Sequence, residues 1–199
     1  MDADGVWTGD FHLGDWLDPG APPDRPEDAT TDRDLIASTY LARSARVVAY
    51  TALTLDRAEL ARSYAKVGDN IAASTWRKWS SALGKTQAGC AIAIAFDIAP
   101  VEAKEAVGRQ LAKLVESNDG RIATGFLGTP LVLPALTQTC QTDAAFRLLL
   151  NEKAPGWLYQ VANGATTMWE RWDAIRPGGE IHSGDMAAED AASMTSFNH

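Results

Sequence analysis

Apolar residues recur every three or four positions along three stretches of the chain, which is the spacing of one face of an α-helix. The three series are Ala37, Leu41, Ala45, Val48, Ala52 and Leu55; Leu60, Tyr64, Val67 and Ile71; and Ala103, Val107, Leu111 and Leu114. Charged residues fall on the opposite side of the second and third series. The pattern therefore predicts three amphipathic helices, the first of them preceded by a capping box at Thr31 and Asp34.

Two other stretches are apolar on all sides. Residues 87–98 carry almost no charge and end before Pro100, and residues 129–136 have the same character. A short helix over residues 143–150, capped by Thr142, follows them. Because a helix that is apolar all round must be covered on every side, the alternation favours a double ring with the apolar helices inside. A simple antiparallel bundle is the alternative.

The first 31 residues predict an irregular but ordered segment. They contain four prolines and four glycines, which excludes a long helix. They also carry Trp7, Phe11 and Trp16, whereas disordered segments are poor in aromatic residues. We therefore expect a loop that packs against the helices.

Charge and cysteine content narrow the chemistry. The net charge is −8, and no basic run is longer than Arg77-Lys78, which argues against nucleic acid as a partner. The two cysteines, Cys90 and Cys140, belong to no Cys-x-x-Cys pair, so we expect buried free thiols and no metal site. The longest apolar run, residues 88–96, is far shorter than the roughly 20 residues that span a bilayer. With no signal peptide visible, the sequence predicts a soluble, cytoplasmic protein without a membrane partner.

Two segments combine tryptophan with carboxylates, at residues 14–19 and 164–173. Aromatic rings pack on the apolar face of a pyranose, and carboxylates accept hydrogen bonds from its hydroxyls. Glycoside hydrolysis also requires a pair of Asp or Glu side chains beside the scissile bond. Spacing alone leaves other interpretations open, because Glu170 and Arg171 can form a surface ion pair, and Asp15 and Asp18 can cap a turn.

Three strings resemble α-L-rhamnosidases of glycoside hydrolase family 78. They are Gly-Asp-Trp-Leu-Asp-Pro at residues 14–19, Thr-Gly-Phe-Leu-Gly-Thr-Pro at residues 124–130 and Gly-Ala-Thr-Thr-Met-Trp-Glu-Arg-Trp-Asp at residues 164–173. The resemblance implies an all-α fold, an (α/α)6 barrel of the six-hairpin glycosidase type with alternating inner and outer helices. It also implies an inverting hydrolase that removes terminal α-L-rhamnose from glycosides and needs no cofactor or metal.

The same resemblance assigns roles to individual residues. Glu170 matches the general base of the family. Trp16 matches an aromatic residue of the rhamnose pocket, with Asp15 before it in the same loop, and Trp169 precedes the base. His199 matches a pocket histidine that contacts the sugar. We therefore expect Asp15, Trp16, Trp169 and His199 to bind the substrate.

The chain also departs from the family pattern. The family's general acid is a Glu in a Cys-Pro-x-Arg type of motif upstream of the Gly-Asp-Trp string, and this sequence contains no such motif. We therefore expect residues 1–199 to be the C-terminal part of a catalytic domain, truncated at both ends. Residues 1–31 would be a pocket loop, and residues 32–199 would be the helices and the loop of the catalytic base.

Further expectations follow for such a fragment. Besides a rhamnose-containing glycoside, its partner would be the remainder of the same catalytic domain. We expect the fragment alone to be inactive because the general acid is missing, and to expose apolar inner helices along residues 88–96 and 131–136.

Two alternatives to this function remain. One is another (α/α)6 glycosidase, such as a trehalase-like or glucoamylase-like enzyme. The other is a helical interaction module without catalysis, in which Trp169, Glu170 and Trp172 pack in a core or face solvent singly. The rhamnosidase prediction instead requires these residues to converge with Trp16 on one concave surface.

Overall fold

The computed structural model describes residues 5–9, 12–22, 25–181 and 196–198. These residues form seven α-helices, and their one β-pairing is an isolated bridge between Ile175 and Ile181. The helices are α1 (Arg33–Thr54), α2 (Ala58–Leu83), α3 (Gln87–Ala95), α4 (Val101–Ser117), α5 (Thr129–Gln138), α6 (Thr142–Leu149) and α7 (Trp157–Ala162).

Six of the helices pair into three consecutive hairpins, α1–α2, α3–α4 and α5–α6. Helix α3 also contacts α1 and α5, whereas α4 contacts α6. The hairpins therefore stand side by side with α1, α3 and α5 in one row and α2, α4 and α6 in the other. This arrangement confirms the predicted alternation of inner and outer helices.

Helix α3 lies at the centre of the core. Its residues from Gln87 to Ile94 are all buried. On one side they meet a cluster that includes Leu111 and Leu136, and on the other a cluster that includes Leu35 and Ile71. The burial predicted for residues 87–98 is confirmed over this helix. The expected exposure of residues 88–96 is wrong, because the neighbouring helices of both rows cover α3.

Helix α5 is buried on one side only. Val132, Ala135 and Leu136 are fully covered, whereas Pro130 and Pro134 are exposed. The prediction of an all-round buried helix therefore holds for one face of α5. The other face borders a cavity that belongs to the candidate site described below.

The α1–α2 hairpin buries only part of each predicted stripe, including Ala45, Ala52 and Ile71. Val48 and Leu55 of the first predicted stripe are exposed, as are Leu60, Tyr64 and Val67 of the second. The buried positions are mostly small residues, which allow the two helices to approach closely. A Cβ atom on Gly68 would lie 2.8 Å from Cγ of Arg46.

The helix cap of α1 differs from the prediction by one residue. Asp32 is the N-cap, and its side chain accepts a hydrogen bond from the backbone N–H of Leu35. The hydroxyl of Thr31 instead donates to the hydroxyl of Thr86, which is the N-cap of α3, at 2.8 Å. The contact therefore joins the N-terminal ends of two inner helices.

The N-terminal end of α5 is joined to that of α3. The side-chain amide of Gln87 donates to the carbonyl of Arg121 and accepts from the N–H of Ala123, in the loop that leads into α5. The three inner helices therefore run in the same direction, and their N-terminal ends lie together. The loops at this end carry the residues that the sequence singled out.

The two cysteines have different environments. Cys90 is buried and free, and burial raises the pKa of its thiol to about 12. Cys140 is free but exposed, since it lies in the turn between α5 and α6 with a φ of 59°. The predicted burial is confirmed for Cys90 and wrong for Cys140. In the part of the chain described here, no helix combines the length and apolarity needed to span a membrane.

Candidate active site

The segment around Trp16 and the turn before α5 are bound to each other through Asp15. Its carboxylate is fully buried. Oδ2 accepts the N–H of Gly125 at 2.8 Å, and Oδ1 accepts those of Leu127 and Gly128, both at 2.9 Å. The carbonyl of Trp16 accepts the remaining N–H of this turn, that of Phe126, at 2.9 Å. Two strings more than 100 residues apart therefore form one structural unit.

The close approach of these segments explains the glycine at position 125. A Cβ atom there would overlap with the carbonyl oxygens of both Asp15 and Trp16. The turn is closed from the other side by Thr129, whose hydroxyl donates to the carbonyl of Gly125 at 2.7 Å. Position 125 therefore requires glycine, because the neighbouring backbone leaves no space for a side chain.

Burial changes the acidity of the Asp15 carboxyl. It raises the pKa of Asp15 from 3.8 to about 6, and the nearby negative charge of Asp18 adds to the rise. The N–H groups of Gly125, Gly128 and Leu127 lower it, but burial has the larger effect. The folded chain therefore holds this proton more tightly than the unfolded chain does.

A pH dependence of stability follows from this shift. Between about pH 4 and pH 6, folded Asp15 keeps a proton that unfolded Asp15 has lost, so its contribution to the free energy of unfolding falls as the pH rises. We expect the destabilisation caused by Asp15→Asn to be greater at pH 4.5 than at pH 7 by about 2 kcal/mol. Urea unfolding of both proteins at the two pH values measures this difference. An equal difference at both values would contradict the raised pKa.

The loop that carries Glu170 is fixed by α7. The hydroxyl of Tyr159 donates to the carbonyl of Ile175 at 2.5 Å. The side chain of Gln160 accepts the N–H of Trp169 at 3.3 Å and donates to the carbonyl of Arg171 at 3.4 Å. These bonds flank Glu170 on both sides and hold its backbone against the helix.

A second contact joins the Glu170 loop to the other site segments. The indole N–H of Trp172 donates to the carbonyl of Thr124 at 3.4 Å, immediately before the turn that binds Asp15. The ring of Trp172 meets that of Trp157 edge to face, with 5.3 Å between centroids. The three strings quoted from the sequence are thereby connected through residues 124–128.

Residues 196–198 pack against the Glu170 loop. Ser196 and Glu170 form two hydrogen bonds: the N–H of Glu170 donates to the carbonyl of Ser196 at 2.8 Å, and Oε2 of Glu170 accepts the N–H of Ser196 at 2.9 Å. The rings of Trp169 and Phe197 meet edge to face at 5.4 Å. His199 follows directly but lies outside the described residues, so its contact with the sugar stays a prediction.

A cavity of about 470 Å³ opens beside Glu170. Its walls are largely aromatic and aliphatic, and they include Phe126, Pro130, Leu133, Trp157, Met168, Trp169, Glu170 and Trp172. The volume lies in the range of about 300–1,000 Å³ that is typical of small-molecule sites. A carboxylate set among aromatic rings suits a ligand that has both an apolar face and hydroxyl groups.

The structure brings most of the predicted site residues to one end of the helices. Trp169 and Glu170 line the cavity together. Trp16 is joined to it through Phe126, which lines the same cavity and whose N–H binds the Trp16 carbonyl. Trp169, Glu170 and Trp172 line one concave surface, which favours a binding site over an interaction module. Trp16 is not among the residues that line this surface, and Trp169 and Trp172 are themselves only 5% and 8% exposed, so the predicted convergence with Trp16 stays a prediction.

Two aromatic wall residues were not predicted as site residues. Phe126 lies inside the resembling string at residues 124–130 but has no role of its own there, and Trp157 lies outside all three strings. The position of Phe126 inside that string was the available signal. Trp157 carried none, because a tryptophan at the start of a short helix is equally typical of a core.

Comparison with known proteins gives consistent matches. Residues 1–199 match the family described as the bacterial α-L-rhamnosidase six-hairpin glycosidase domain. An α-L-rhamnosidase of Streptomyces avermitilis is 33% identical over an alignment of 199 residues that covers 99% of this chain and 18% of the relative. One of Formosa agariphila is 34% identical over 169 residues, covering 80% of this chain and 18% of the relative.

Solved structures agree with these matches. The native α-L-rhamnosidase of Aspergillus terreus superposes with a TM-score of 0.89 at 35% identity, covering 100% of this chain and 23% of the other. The Streptomyces avermitilis α-L-rhamnosidase in complex with L-rhamnose superposes with a TM-score of 0.81 at 33% identity, covering 100% and 18%. The chain thus spans about a fifth of the length of the proteins it matches.

Proposed function

The chain belongs to the bacterial α-L-rhamnosidase six-hairpin glycosidase domain family, and on that premise we propose that it supplies the general base and part of the sugar pocket for hydrolysis of terminal α-L-rhamnosides. The observation that carries this proposal is the position of Glu170. Glu170 lines an aromatic cavity. Its loop is hydrogen-bonded to Gln160 of α7 and to Ser196.

In the proposed reaction, Glu170 removes a proton from a water molecule on the face of the rhamnose opposite the leaving group. The oxygen of this water bonds to the anomeric carbon while the glycosidic bond breaks, which inverts the configuration. An acid from the remainder of the catalytic domain protonates the leaving oxygen. For inversion the two carboxyl groups stand ~6.5–9.5 Å apart, which leaves room for the water. The carboxylate of Glu170 accepts one hydrogen bond from Ser196 and has further acceptor sites that can bind the attacking water.

The aromatic residues would position the sugar. Trp169 and Phe126 form part of the cavity wall, and Trp16 is bonded to Phe126 through the backbone. We assign them to the apolar face of the rhamnose, together with a contact from His199. Fixing the sugar beside the base converts the attack of water into a step between pre-oriented groups.

The stereochemical outcome tests this function. We would replace the matching segment of the Streptomyces avermitilis relative with these 199 residues and supply nitrophenyl α-L-rhamnoside, with other nitrophenyl glycosides in parallel. We expect hydrolysis of the rhamnoside, with β-L-rhamnose as the first product in proton NMR spectra. First release of the α-anomer would exclude Glu170 as a base in an inverting reaction. A preference for another glycoside would support a different (α/α)6 glycosidase.

A further inference from the structure

The carboxylate of Asp15 accepts three backbone hydrogen bonds, yet the proposed reaction gives it no step. We propose that Asp15 is a positioning residue, which caps α5 from outside the helix and thereby fixes the turn that carries Phe126, one wall of the cavity beside Glu170. The effect on the sugar rests on the proposed function, whereas the effect on the loop does not.

The first argument is the N-terminal end of α5. Its N-cap, Gly128, has no side chain with which to cap the helix. The N–H groups at the start of a helix lack partners within the helix. Asp15 supplies an acceptor from 113 residues away, with Oδ1 bound to the N–H of Gly128 and to that of Leu127 before it.

The second argument is the continuity of the bonds around Phe126. The N–H groups of Gly125 and Leu127 both bind Asp15, and the N–H between them binds the carbonyl of Trp16. The backbone on either side of Phe126 is therefore held by residues 15 and 16. Phe126 lines the same cavity as Glu170, so a displacement of Asp15 would move the Phe126 side chain and change the shape of the cavity.

Burial gives the third argument. Asp15 is 0% exposed, and both of its oxygen atoms already accept hydrogen bonds from the turn. A sugar hydroxyl in the cavity could reach the carboxylate only by displacing the turn. The structure thus gives Asp15 a task different from the direct substrate contact that the sequence predicted.

Asp18 provides a matched control in the same loop. It is also buried, and its carboxylate accepts the N–H groups of Gly20 and Thr30 at 2.8 and 2.9 Å and the hydroxyl of Thr30. All of these partners belong to the N-terminal segment. Asp18→Asn therefore removes a similar set of bonds without touching the turn that carries Phe126.

Amide hydrogen exchange of the 199-residue chain tests the positioning directly. We expect exchange in residues 125–128 to be at least about tenfold faster in Asp15→Asn than in the unsubstituted chain, and unchanged in Asp18→Asn. Unchanged exchange in the Asp15 variant would overturn the proposal. So would an equal increase in both variants, because the effect would then be a general loss of stability.

Kinetics in the Streptomyces avermitilis chimera test the consequence for the sugar. We expect Asp15→Asn to raise KM at least about tenfold and to lower kcat by a smaller factor, with KM changed less than about threefold in Asp18→Asn.

Phe126→Ala, which keeps the Asp15 bonds, should raise KM by a similar factor. The double variant Asp15→Asn/Phe126→Ala should have a KM no higher than that of Phe126→Ala alone. An unchanged KM in Phe126→Ala would overturn the proposal even where Asp15→Asn does not fold. A chimera inactive on every glycoside would contradict the proposed function, while exchange would still decide the role of Asp15.

Discussion

We expect Glu170→Gln to lower kcat for rhamnoside hydrolysis in the Streptomyces avermitilis chimera by about 10²–10⁴-fold, with little change in KM. Gln keeps the shape of the side chain and can still accept the N–H of Ser196, which binds Oε2. It cannot accept a proton from water, so the attacking water stays neutral in the transition state. Steady-state kinetics on nitrophenyl α-L-rhamnoside measure the loss.

Two further measurements make this result specific to the base. Glu180→Gln removes an exposed carboxylate further along the chain and should leave kcat within about twofold. Azide, a small nucleophile that needs no base, should restore turnover in Glu170→Gln and form a rhamnosyl azide of inverted configuration. Near-normal kcat in Glu170→Gln without azide would refute the role assigned to Glu170.

The second large effect concerns the turn that joins the two site segments. We expect Gly125→Ala to lower the free energy of unfolding by about 3 kcal/mol, because the added methyl group overlaps with the carbonyls of Asp15 and Trp16. These are backbone atoms, so relief requires the two segments to separate and breaks the hydrogen bonds between them. For a chain of this size the melting temperature should fall by roughly 6–12 °C. Urea and thermal unfolding followed by circular dichroism measure both quantities.

Gly84→Ala is the matched control for this substitution. A Cβ atom on Gly84 would meet its nearest neighbours at 3.8 and 3.9 Å, and the residue already has a helical φ of −72°. Alanine there should be neutral or slightly stabilising, since it restricts the unfolded chain. If Gly125→Ala proves as harmless as Gly84→Ala, the close contact between the segments does not exist in solution.

Helices were predictable from the sequence where burial is uniform around the axis. Residues 87–94 are apolar on every side, and α3 is buried as predicted, whereas the similarly apolar α5 is buried on one side only. For α1 and α2 the apolar period was correct, but only some members of each predicted stripe are buried, such as Ala45, Ala52 and Ile71. Their close packing selects alanine and glycine for the contact and leaves larger side chains such as Tyr64 outside. The choice between two possible faces depends on the neighbouring helix, which periodicity does not contain.

The candidate base could also be singled out from the sequence. Glu170 lies between two tryptophans in a string that resembles one family, and local chemistry together with that resemblance was enough to propose its role. Its fixation by Gln160 and Ser196 was not predictable, because those bonds join residues that are separate along the chain.

The sequence by itself determined most of the helices, the apolar inner helix and the segments that carry the candidate site, because these depend on residue type and short-range spacing. The tertiary structure alone decided which face each hairpin buries, that Cys140 is exposed, and that Asp15 is bound within the turn of Gly125 and Gly128. The physical reason is the distance along the chain. A carboxylate next to tryptophan has the same composition whether it meets a sugar or a backbone N–H more than 100 residues away, and only the folded chain brings one of these partners within 3 Å.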